Sequence, residues 1–203
     1  MSPSLGFRFD ADAYRYSKSV DILKDTLSAA LRGLRDQRAT LQEEYNQYEE
    51  GGVRIGEWED DGVKLWDQAD VYAFQIDATD EAIANLYKPY VIAFYHNWER
   101  NLARRANLKD KPNHTVLRDA LSKMGVTLPD RLDAVRDLTN ALKHNSDYFG
   151  RKLLKSWEEL LPMNFSPRKE ENLTDWYELI NISGNQMLEI IATVRKAYPD
   201  VST

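Results

Sequence analysis

The stretch Asp137-Leu138-Thr139-Asn140-Ala141-Leu142-Lys143-His144-Asn145 ends a helical pattern in Asn-x-x-Lys-His-Asn. It puts an imidazole, an ammonium and two amides on adjoining turns, in a chain with three histidines and no cysteine. An imidazole of ordinary pKa near 6.5 exists in both protonation states near neutrality, so His144 suits proton transfer. At 100° per residue, Arg136, Asn140 and His144 form a slanted stripe, with Asp133 and Asp137 close by. Leu132, Val135, Leu138 and Leu142 gather on the other side and are expected to face the core. Thr139 lies nearer that apolar side, where its hydroxyl is more easily a partner for the helix backbone than a reactive group. A simpler reading competes: a solvated helix face, with Lys143 and a protonated His144 meeting the carbonyls of the last turn.

The elements that must position this helix are mostly helical. Val20, Leu23, Leu27, Leu31, Leu34, Leu41, Tyr45 and Tyr48 recur at steps of three, four and seven, which predicts one long helix over about residues 11 to 50, ended by Gly51-Gly52. Short alternating runs flank Glu59-Asp60-Asp61-Gly62 and predict a small β-hairpin at about 53 to 66, with Trp58 and Trp66 anchored on the core. A helical region runs from about Trp66 or Asp70 to Leu108. Pro89 predicts a kink or boundary near Lys88, and Tyr90, Phe94, Trp98 and Leu102 a core stripe. His114 to Met124 reads as a short helix ended by Gly125. Thr127-Leu-Pro129-Asp130 then opens the motif helix. After a polar loop at Pro162 to Pro167, Asn172 or Thr174 is expected to cap one last helix from Trp176 to Val194.

Composition bounds the function. With 203 residues, sparse Gly and Pro, and interspersed charge, the chain reads as a single all-α domain over 1–203. The absence of cysteine excludes disulfides, thiolate nucleophiles and Cys-ligated zinc. His96, His114 and His144 lack paired metal-ligand spacing, so no metal is expected. No glycine-rich phosphate loop or nucleophile elbow occurs, and no cofactor is expected. Residues 1 to 10 lack the apolar run of a signal peptide and no window resembles a membrane span, so a cytoplasmic protein with no membrane contact is expected. A net charge of −6 argues against a general nucleic-acid coat, although Arg100, Arg104, Arg105, Lys109, Lys111, Arg118 and Lys123 make the middle third locally basic.

Phe94-Tyr-His-Asn-Trp98-Glu99-Arg100, followed by Asn140-Ala-Leu-Lys-His144-Asn145, resembles the HEPN superfamily (higher eukaryotes and prokaryotes nucleotide-binding domain) over roughly residues 70 to 160. The resemblance implies an all-α bundle of about five helices with long first and last members, commonly a homodimer. Many members are metal-independent endoribonucleases in toxin-antitoxin or antiviral defence systems. The family's catalytic signature is an Arg, often with Asn directly after it, then four to six intervening residues and a His. By register His144 and Asn140 match, while Thr139 stands where the catalytic Arg would be. Arg136 lies outside the signature on the same stripe.

In metal-free RNA cleavage a base takes the proton of the ribose 2'-hydroxyl, that oxygen attacks phosphorus, and charge gathers on the phosphoryl oxygens. On this reading the catalytic candidates are His144 as acid or base, Asn140 and Lys143 polarising phosphate, and Arg136 as a surrogate cation. Asn145, Glu99, Arg100 and Arg104 are the candidate substrate-binding residues. Removing one preorganised donor of that kind costs about 2.7 to 4 kcal/mol, so Thr139 implies a greatly weakened nuclease unless another cation substitutes. Three readings follow: a HEPN-like, RNA-associated module with little or no catalysis and an antitoxin or defence partner; an active endoribonuclease using His144; or a helical dimerisation protein without an RNA role.

Overall fold

Residues 9–109, 111–167 and 174–199 are described by a computed structural model. The first eight residues and Asn172, for which the sequence raised expectations, lie outside them. The long apolar stripe folds as helix α1, Ala11–Glu50. Asp10 caps its start, one carboxylate oxygen accepting from the Ala13 N–H at 2.9 Å while Arg105 grips both oxygens at 2.9 and 2.7 Å. The guanidinium and the backbone donors together hold the Asp10 carboxyl down to about 2. At the other end Gly52 takes the positive φ that a left-handed C-terminal residue requires.

By internal contact the chain divides into two units, residues up to Asp25 with Lys88 onward, and Thr26–Tyr87. In the second unit the later part of α1 is joined by strands β1 (Gly56–Trp58) and β2 (Lys64–Asp67), an antiparallel pair, and by α2 (Gln68–Asn85). Gly56 is required here, because a Cβ would lie 2.4 Å from the Trp66 carbonyl oxygen. Tyr48 pins the hairpin to the end of α1: its hydroxyl accepts from the Ile55 N–H at 2.9 Å. Asp67 and Asp70 form a reciprocal capping box that starts α2 directly after β2. Trp58 and Trp66 are 42% and 39% exposed, which corrects the expectation that they anchor on the core. Strands of three and four residues have too little surface to cover two indoles.

The first unit contains α3 (Tyr87–Arg105), α4 (His114–Lys123), α5 (Leu132–His144), α6 (Asp147–Ser156), a 3₁₀ turn at Glu158–Leu160, α7 (Trp176–Leu179) and α8 (Gly184–Lys196). Leu86 separates α2 from α3, and Pro89 falls in the first turn of α3, where its missing N–H costs nothing. Phe94, Trp98 and Leu102 are fully buried, and the Trp98 indole N–H donates to the Ala197 carbonyl at 2.6 Å. On α5, Leu132, Val135, Leu138 and Leu142 face the core as spaced.

Three boundaries differ from expectation. The motif helix begins at Leu132, because Pro129 and Asp130 belong to a preceding turn closed by the Leu132 N–H on the Pro129 carbonyl. A separate α6 follows the motif. The expected long last helix is split: Asp175 caps the short α7, then Ser183 and Gln186 form a second capping box that restarts the chain as α8. Among the described residues, no helix is long and apolar enough to cross a membrane.

Candidate functional site

The C-terminal half of α5 carries the motif, and packing sorts its side chains into different tasks. Thr139 is fully buried and its hydroxyl donates to the Val135 carbonyl at 2.8 Å, a bond within the helix. Arg136 is half-buried, and two of its nitrogens donate to one carboxylate oxygen of the buried Asp137, at 3.0 and 2.6 Å. Burial works against the Arg136 charge, but the hydrogen bonds and field of Asp137 more than offset it and hold the guanidinium above its ordinary value. Its charge is thereby committed to a carboxylate. His144 is exposed, with its ring stacked on Phe149 at 4.8 Å. Asn140 lies half-buried one turn earlier.

Asn145 closes α5 in the left-handed conformation, φ 43°. Its amide nitrogen donates to Asp175 at 3.1 Å, and its amide oxygen accepts from the Tyr177 N–H at 3.0 Å. The buried Lys88 takes the Tyr177 carbonyl at 2.6 Å. The end of the motif therefore docks α7 between α5 and α3. Asn145→Ala is expected to cost about 1 to 2 kcal/mol, combining left-handed strain with two lost hydrogen bonds, and Asn145→Gly less. Urea unfolding of the two variants checks the order.

Lys143 points elsewhere. It lines a groove of about 1260 Å³ together with one face of α3 and the chain beyond it. Ala93, His96, Arg100 and Ala103 recur at intervals of three and four, so a single helix face supplies that wall. The cations are Arg100, Arg104, Lys109, Lys111 and Lys143, against the one carboxylate Glu99 among the described lining residues. Arg104 donates to the Asn101 amide oxygen. Arg100, Lys109, Lys111 and Lys143 have no carboxylate partner among the described residues. Glu99 bonds His96, Oε2 to Nδ1 at 2.7 Å. Of the sequence candidates, the groove thus gathers Lys143, Glu99, Arg100 and Arg104, while Arg136, Asn140, His144 and Asn145 are not among its lining residues.

Sequence reasoning missed a polar chain that runs from the core to the surface. The Tyr95 hydroxyl meets His114 Nδ1 at 2.7 Å, His114 Nε2 meets Asp133 at 2.7 Å, and Arg118 donates to the other Asp133 oxygen at 2.8 Å. Burial pushes the His114 pKa down, partly opposed by Asp133, and pushes the Tyr95 phenol up. The neutral imidazole then donates Nε2–H to Asp133 and accepts the Tyr95 O–H on Nδ1. This chain ties α3, α4 and α5 together beside the groove wall. The one sequence signal for it is Arg118, a turn after His114 on the same helix face.

Among the described residues no three His, Asp or Glu side chains are grouped to hold a metal ion. Compared with protein-family models, curated proteins and solved structures, the chain matches none.

Proposed function

We propose that this protein is a HEPN-like, RNA-associated helical module that holds a ribose-phosphate backbone in the groove between α3 and Lys143 and cleaves it weakly or not at all. One observation carries the reading: five cations face one carboxylate in a single groove of a chain whose net charge is −6. Concentrating positive charge against that overall balance suits a polyanionic ligand. The weak chemistry follows from α5. Thr139 is buried in its own helix, and Arg136 is neutralised by Asp137, so neither supplies a free cation beside His144.

Fluorescence anisotropy with a labelled, unstructured single-stranded RNA tests the reading. Each neutralised phosphate contributes about 0.7 to the salt slope for single strands, so four engaged cations give a slope near −3 and about a 50-fold loss of affinity from about 50 to 200 mM salt. Replacing Lys109 and Lys111 with Ala should cut that slope by about half. Failure to bind at low salt, or a slope unmoved in the double variant, removes the groove from consideration. A gel of the same samples should show intact RNA. Cleavage abolished by His144→Ala would establish the nuclease reading instead.

A further inference from the structure

The second unit carries an apolar surface of a different character. Between Val53 and Phe74 lie eight of the sixteen exposed large hydrophobic side chains among the described residues, including Trp58, Leu65, Trp66 and the 75% exposed Phe74. Solvated indoles at this density on a two-stranded ribbon mark a surface that is completed by something else. Among the described residues β1 and β2 each have only the other as neighbour, so an extended chain can add to the ribbon through backbone hydrogen bonds while its side chains meet the indoles.

Charge selects the occupant. Thr26–Tyr87 holds fourteen acidic and five basic side chains, a balance of −9 in a chain totalling −6, so the remainder carries +3. Glu57, Glu59, Asp60, Asp61 and Asp70 stand within or directly beside the hairpin, against Arg54 and Lys64. A second copy of this surface would oppose −9 to −9, and an anionic bilayer would be repelled in the same way. We infer that the hairpin and the first turns of α2 dock an extended segment of a partner protein in which apolar residues alternate with Lys or Arg. The apolar side chains of that segment cover Trp58, Trp66 and Phe74, and its cations meet the acidic rim. The inference is independent of the groove, which lies in the other unit.

The probe is a short Trp-free peptide of alternating Lys and Val, titrated into the full chain and followed by intrinsic fluorescence. A saturable blue shift is expected, as solvated indoles become covered. Trp66→Ala should raise Kd at least about tenfold, the scale of an interface anchor, and circular dichroism checks that the variant keeps the parent's helical fold. A Glu-Val peptide should not bind. The proposal fails if the Lys-Val peptide leaves fluorescence unchanged, or if a Lys-Ser peptide binds as tightly, since the attraction would then be charge alone. It also fails if light scattering finds a dimer that Trp66→Ala dissociates, which would make a second copy the occupant.

Discussion

Gly150→Ala is expected to destabilise the protein by about 3 kcal/mol, although alanine is the better helix former by about 1 kcal/mol. Gly150 lies within α6 against the fully buried Trp176, and a Cβ there would sit 1.9 Å from indole Cδ2 and 2.1 Å from Cε2. The indole has nowhere easy to go. Its N–H donates to the buried Asp147 carboxylate at 2.7 Å, and Phe165 packs edge-on at 5.4 Å. Displacing the ring gives up a charge-assisted hydrogen bond worth about 1.5 to 3 kcal/mol as well as packing. For a chain of this size the melting temperature should fall by about 10 °C, read by circular dichroism. Introducing Trp176→Leu alongside Gly150→Ala makes room for the methyl, so the double variant should be more stable than the sum of the two single losses predicts. A melt within about 2 °C of the parent for Gly150→Ala would show that the ring relocates freely.

Where periodicity alone decides an outcome, the residues told it. Leu132, Val135, Leu138 and Leu142 had to share a face, Thr139 had to lie near it, and Pro89 had to sit at a helix start. Asp137 shows the limit. Angle puts it with the polar stripe, yet it is buried, because Arg136 turns back and satisfies the carboxylate that solvent would otherwise hold. The split of the last helix was written in Ser183 and Gln186, but a strong apolar period running through Ile180 and Ile182 hid it. Tyr95, His114 and Asp133 lie nineteen residues apart in turn, and no local pattern unites them. The basic residues of α3 were visible as a locally positive stretch. That Lys143 comes from the motif helix to the same groove is a property of packing between helices.

Stability is expected to decline as pH falls below about 6.5, with His114 contributing to that decline. Burial lowers its folded pKa beneath the 6.5 of the unfolded chain, with Asp133 opposing and the nearby Arg136 and Arg118 charges assisting. Between the two values the unfolded state binds more protons than the folded one, so stability rises with pH across that window. The contribution is complete above 6.5 and is lost progressively as pH drops through the folded value. Protonation would also leave Nδ1 no longer able to accept the Tyr95 hydroxyl. His114→Phe removes the titration together with the Nδ1 acceptor of the Tyr95 hydroxyl, on a residue 2% exposed, at about 1 to 3 kcal/mol. Tyr95→Phe added to His114→Phe deletes both partners, and the pair should recover much of the loss rather than add to it. Urea midpoints at about pH 8 and pH 5 measure the effect: the parent should drop between them and His114→Phe less. Parallel drops in the two proteins would place the proton uptake elsewhere, leaving the Tyr95–His114–Asp133 chain as structural support without a role in acid sensitivity.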